Sequence, residues 1–165
     1  ILSLIIEKVV GSTVSEYMSK KVWKPIGAKN TALWSLDKKN GREKAYCCFY
    51  SNARDFARIG QLYLNKGQWG NYQIVSEKYI NESTSPAFNL RDEHHKIVDF
   101  YGYQMWLNYY KNLDIFYARG LQGQYIITIP EKELVIVRLG FERGAKQSNH
   151  HFEDLYTYIN FALAQ

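Results

Sequence analysis

Cysteine is nearly absent from this chain: its 165 residues hold two, and they are neighbours, Cys47 and Cys48. Without further Cys or His at ligand spacing the pair cannot build a zinc site. A bridge between adjacent residues strains the peptide that joins them, so two free thiols are expected. Long apolar runs are missing too. No stretch reaches the roughly 18 residues that a membrane-crossing helix needs. The chain also lacks a concentrated charge. It carries a formal net charge of +5 and a pI near 9.1, but lysines such as Lys20, Lys38 and Lys78 are scattered among acids. No stripe of Arg and Lys with interleaved aromatics stands out, so nucleic acid is not an expected partner. Neither an internal repeat nor a linker divides the sequence, which has the length of one domain.

What the chain does have is tyrosine. Aromatic residues make up 16% of it, and 14 residues are tyrosine. A ring that is apolar with a hydroxyl that seeks a partner suits half-buried positions, a lined cleft or an interface. Hydrophobic residues at 46% and charged residues at 22% are otherwise those of a soluble globular protein.

The chain opens in what reads as a helix interior, Ile1 to Val10, with Leu2, Ile5, Ile6, Val9 and Val10 on one face and Gly11 as the stop. The absence of a signal peptide therefore carries little weight. Thr13-Val14-Ser15-Glu16 reads as a capping box for a second helix, which ends before Pro25. Asp37 to Gly41 is a turn. Ser51 or Asn52 caps a third helix with Ala53, Phe56, Ala57, Gly60, Tyr63 and Leu64 inward and Gly67 at its end. A short helix starts at Ser76, and the stretch from Ser83 to Asp99 has no period. Tyr101–Leu107, Ile115–Arg119, Gln124–Ile129 and Leu134–Leu139 then read as strands. Their connections are too short for helical crossovers, so the pairing should be antiparallel. Leu134 to Val137 is apolar at every position, as for a strand covered on both faces. A last helix presents Phe152, Leu155, Tyr156, Ile159 and Leu163 to that sheet. Helices followed by a meander make the fold class α+β.

Several stretches resemble the penicillin-recognising serine hydrolases, which include class C β-lactamases, D-alanyl-D-alanine peptidases, related esterases and aminohexanoate-oligomer hydrolases. Leu4 to Gly11, then Glu16-Tyr17 and Trp23-Lys24-Pro25-Ile26-Gly27, resemble the family's helix, turn and "PLG" segment. Ser51 to Gly60 is similar to its "STARDLARFG" helix, and Tyr101 to Trp106 to its "YGYGWW" strand. Tyr117 to Gln124 lies where the family has its third motif. The likeness runs through nearly the whole chain in the family's order.

In such enzymes the serine of S-x-x-K attacks a carbonyl to give an acyl-enzyme, while the lysine and the tyrosine of Y-x-N move the proton. A strand bearing K-T-G or H-x-G forms the far wall, and one of its backbone N–H groups completes the oxyanion hole. By this alignment the nucleophile and the tyrosine motif precede Ile1, so residues 1–165 are a single partial domain with no catalytic residue of their own. Ser35-Leu36-Asp37-Lys38 and Tyr50-Ser51-Asn52 match the two motifs literally. The first, however, runs into a solvated turn, and the second already caps the third helix, so both are read as chance matches.

The third motif here is Ala118-Arg119-Gly120, without the usual cation at its first position. Arg119 either reaches a substrate carboxylate through its guanidinium fork, or is turned away by strand alternation and pairs with Glu131 or Glu133 at the surface. Gly120 permits close approach of a ligand, and the N–H of Leu121 is the expected oxyanion donor. His94-His95 and His150-His151 are adjacent pairs whose side chains diverge, so no metal is expected, and no cofactor. The resemblance thus implies the C-terminal part of an acyl-enzyme hydrolase acting on an amide, ester or lactam in a small-molecule or peptide-like substrate. The alternative is a binding module or pseudoenzyme of the same fold. Where the rest of the sheet would pair, the exposed edge should favour self-association.

Overall fold

In the computed structural model, which describes residues 1–165, the second half of the chain is a four-stranded meander. Strands β5 (Trp106–Tyr110), β6 (Leu113–Arg119), β7 (Tyr125–Ile129) and β8 (Leu134–Arg138) pair antiparallel in that order. The sheet has a helix on each face because its residues alternate. Leu113, Ile115 and Tyr117 of β6, with Tyr125, Ile127 and Ile129 of β7, form one buried core with Leu155 and Ile159 of α5 (Glu153–Leu163). The opposite face meets α3 (Ala53–Leu64): Tyr63 lies against Phe116, and Gly60 sits where any Cβ would collide with Val135 and Ile126. This is the α+β arrangement the sequence led us to expect, with the last helix packed on an antiparallel sheet.

The first half supplies short helices and hairpins. α1 (Leu2–Val10) ends on Gly11 at φ +67°, and α2 (Val14–Met18) begins on the Thr13 capping box, with both reciprocal bonds made. A π-helical turn, Ser19–Trp23, carries α2 to Pro25. Strands β1 (Leu33–Trp34) and β2 (Phe49–Tyr50) pair as a small ribbon, as do β3 (Gln68–Trp69) and β4 (Tyr72–Gln73) before α4 (Glu77–Ser83). Asn52 caps α3 and Ser76 caps α4.

Three expectations change. The first long strand starts at Trp106, not Tyr101, because Tyr101 to Met105 form a tight turn with Gln104 at φ +62°. Gly102 approaches the Ser83 and Ser85 carbonyls too closely for any side chain, so the aromatic run bends around α4 instead of extending. The second strand begins two residues early, at Leu113, because Lys111 and Asn112 both take positive φ and close a two-residue hairpin turn. Third, α3 is buried on two sides rather than on one stripe. Leu62 points away from the sheet into a second core with Trp23 and Ile26, and Asp55 is buried there as well, while Ala53 is exposed. On α1 the apolar face is only partly covered: Leu2, Ile5 and Val9 are exposed, Ile6 and Val10 are half-buried, and no residue of the helix is fully buried.

Asp55 holds the first half together. Its carboxylate accepts from the backbone N–H groups of Lys29 and Asn30, each at 2.9 Å, and from the Asn30 and Asn52 side-chain amides. Arg58 adds a charge at 3.5 Å. Led by the bond from Lys29, these donors hold the carboxyl well below the usual range despite burial, so it stays ionised.

Candidate functional site

The end of β6 and the β1–β2 ribbon face each other across a cleft of about 340 Å³. Its sheet side is Ala118 to Gly120 with Ile126, its floor is Phe56 of α3, and its far side is Trp34, Phe49 and the loop Ala45–Cys48. Phe49 is central to that far side, its ring packing edge-on to Trp34 at 5.1 Å and against Phe56 at 6.0 Å. The Trp34 indole N–H donates to the Lys44 and Cys47 carbonyls and pins the loop.

Within that loop Cys47 and Cys48 are joined by a disulfide, so the expectation of two free thiols is corrected. The backbone accommodates the bridge by an unusual conformation: Cys48 takes φ +68°, and its carbonyl is fixed by the Ser35 N–H. Both cysteines line the cleft.

Alternation places Ala118 on the α3 face with Phe116, and turns Arg119 to the α5 face with Tyr117. There the guanidinium carbon lies 3.3 Å from the Trp106 ring centroid and 4.9 Å from that of Phe152. One of its nitrogens donates to the His150 carbonyl at 3.2 Å. Neither Glu131 nor Glu133 is its partner: Glu131 instead accepts from the Asp114 N–H. Of the two readings of Arg119, the side chain follows the alternation but stacks on aromatics rather than pairing at the surface.

Gly120 borders the cleft and its N–H closes the hairpin on the Gln124 carbonyl at 2.8 Å. A Cβ at this position would stand 2.9 Å from the Cβ of Gln124. That glutamine fastens the turn, accepting from the Gln122 N–H and donating to the Gly140 carbonyl. Between these bonds the Leu121 N–H has no partner in the chain, and its side chain is exposed.

Lys38 lies exposed within the Asp37–Gly41 turn, and Ser35 lies two residues before it with its backbone N–H bonded to the Cys48 carbonyl. Neither of them nor Tyr50 lines the cleft. The adjacent histidines contribute no cluster of three metal-ligating side chains.

Behind the sheet lies a buried pair that sequence reasoning missed. The hydroxyl of Tyr117 and Nδ1 of His151 are 2.7 Å apart, with both residues almost fully buried. Burial first, then the Arg119 and His150 charges, push the His151 pKa down to about 4, so the ring is neutral. Burial raises the Tyr117 hydroxyl, which keeps its proton. Nothing local marks these residues, because 34 positions separate them.

The model of the beta-lactamase family matches residues 1–145. The chain belongs to the beta-lactamase family. Among solved structures it is similar to a proposed 6-aminohexanoate-dimer hydrolase from Bacillus anthracis, at 24% identity and TM-score 0.74. That match covers 99% of this chain and 40% of the other. The octameric penicillin-binding protein homologue from Pyrococcus abyssi matches at 22% identity and TM-score 0.68, again covering 99% and 40%. A proposed beta-lactamase from Bacteroides dorei DSM 17855 matches at 12% identity and TM-score 0.69, covering 99% and 55%. At these identities the likeness is one of fold. The chain thus spans from 40% to 55% of the length of these three family-fold structures. No curated protein matches it.

Proposed function

We propose that the chain forms one wall of the acyl-transfer site of a serine hydrolase, whose S-x-x-K serine and Y-x-N tyrosine lie in a preceding part of the same domain. The observation that carries this reading is the Leu121 N–H. It directly follows the third-motif glycine, Gly120, which borders the cleft although Leu121 itself does not line it, and it is left without a partner by the chain's own bonds. In the proposed reaction the serine oxygen attacks the carbonyl of an amide, ester or lactam, and the carbonyl oxygen gains negative charge. The N–H of Leu121, with that of the serine, stabilises that charge. The proton lost by the serine passes through the S-x-x-K lysine and the Y-x-N tyrosine to the leaving nitrogen or oxygen as its bond to the carbonyl carbon breaks, and water then hydrolyses the acyl-enzyme.

A fluorophosphonate probe read by intact mass tests the proposal on this chain and on the protein extended upstream. Labelling of the extended protein alone, unaffected by Ser35→Ala, is the expected result. Labelling of this chain that Ser35→Ala abolishes would make Ser35 and Lys38 the active site and refute it. One observation favours a second reading, a binding module of the same fold without chemistry: Ala118 stands where the third motif usually begins with Lys or His. Absence of labelling in both proteins would favour that reading.

A further inference from the structure

The cleft is apolar, and every cation near its sheet side is directed elsewhere. Trp34, Phe49, Phe56, Ala118, Ile126 and Leu139 line it, and no acidic side chain, lysine or histidine does. Arg119 is the one cationic residue in the lining, but its guanidinium lies against Trp106, Phe152 and the His150 carbonyl, none of which borders the cleft. Two further arginines at this end of the sheet are held the same way. Arg138 bonds the Gly123 and Glu142 carbonyls, sits 3.8 Å from Asp154 and lies over the Tyr158 ring. The Arg143 guanidinium lies 4.5 Å from the centroid of Phe152.

From this we infer that the cleft selects substrates whose group beside Ala118 is neutral and apolar, and rejects those that place a carboxylate there. The inference rests on the hydrolase reading for its kinetic form, but its physical basis is independent of it. A carboxylate placed beside Ala118 loses water and meets no cation there: the Gln124 amide oxygen and nitrogen are both already bonded, the Tyr125 hydroxyl donates to Asp154, and the Tyr46 hydroxyl belongs to the exposed loop across the cleft. An alkyl or aryl group of the same size gains contact with Phe49, Phe56 and Ile126 instead. Arg119 cannot swing in to compensate without leaving the Trp106 face and crossing the strand.

The test uses the full-length protein and ester pairs that differ in one carboxylate. 4-Nitrophenyl butyrate and mono-4-nitrophenyl succinate place the charge on the acyl side. Phenyl butyrate and 4-carboxyphenyl butyrate place it on the leaving group. In at least one pair the neutral ester should have a kcat/KM about 100-fold higher, the size of discrimination that a mismatched buried group produces. Ala118→Lys, which projects a cation into the cleft, should narrow that gap at least about tenfold. Equal kcat/KM values in both pairs, or a preference for the anionic esters, would overturn the inference.

Fluorophosphonate labelling of the same protein separates the two claims. A labelled enzyme without charge preference leaves the hydrolase reading standing and removes this one. If labelling fails, the hydrolase reading falls, and binding of 4-phenylbutanamide against 4-phenylbutanoate by calorimetry decides the inference alone. Tighter binding of the amide supports it, and equal or reversed affinities overturn it.

Discussion

Mild acid should loosen the packing of α5 on the sheet through a single side chain, His151. The ring is 3% exposed, and burial, with the nearby Arg119 and His150 charges, lowers its pKa from 6.5 to about 4. Between those values the unfolded chain binds a proton that the folded chain refuses. Because the folded pKa is the lower one, protons favour unfolding here. Stability is full above about pH 6.5 and falls as the pH drops toward 4. Each pH unit between the two values is worth about 1.4 kcal/mol. Because the packing around the ring relaxes once it is charged, the loss is on the order of 2 kcal/mol, below the full value for the interval. Urea denaturation of the full-length protein at several pH values between 7.5 and 4.5, followed by tryptophan fluorescence, reads the loss directly. His151→Asn retains a polar group able to meet the Tyr117 hydroxyl but does not titrate, so its stability should stay flat where the parent falls. A His151 resonance that titrates near the ordinary histidine value in NMR would refute the reasoning, as would parallel pH profiles for parent and variant.

Asp55 acts in a separate and more acidic window. Its folded pKa lies below 3.8, so its contribution is present above that value and should be lost as the pH falls further, a dependence that Asp55→Asn should remove from acid-unfolding curves. Leu155→Ala, at a fully buried position of α5, should cost about 2–5 kcal/mol by urea denaturation, and a cost under about 1 kcal/mol would mean that the helix is not seated on the sheet. The isolated chain should self-associate through the open edge at β8 and the exposed apolar residues of α1, so its sedimentation coefficient should rise with concentration while amide exchange slows in Leu134–Arg138. A monomer at every concentration would contradict that.

How much of this was legible beforehand depended on how local the signal was. Thr13, Asn52 and Ser76 announced their helices because a cap is written within four residues. The meander followed from short connections between apolar runs. The turn at Lys111-Asn112 went unread because it contains no glycine, although asparagine tolerates the left-handed backbone. Period alone could not show that α3 sits between two cores, because Leu62 and Asp55 take partners from Trp23, Ile26 and Lys29, about 26 to 40 positions earlier. For Arg119, alternation indicated the face but not Trp106, which reaches it only through the pairing of β5 with β6. Strain in the intervening peptide made free thiols the expectation at Cys47 and Cys48, and the positive φ of Cys48 in the bridged pair is not legible from the sequence.

The most direct test of the central claim is a crystal structure of the full-length protein carrying a phosphonyl adduct on its nucleophile. The account predicts an adduct on a serine upstream of Ile1, with a phosphonyl oxygen about 2.7–3.1 Å from the Leu121 nitrogen and the organic group against Phe49 and Phe56. An adduct on Ser35, or a Leu121 N–H turned away from the phosphonyl oxygen, would contradict it.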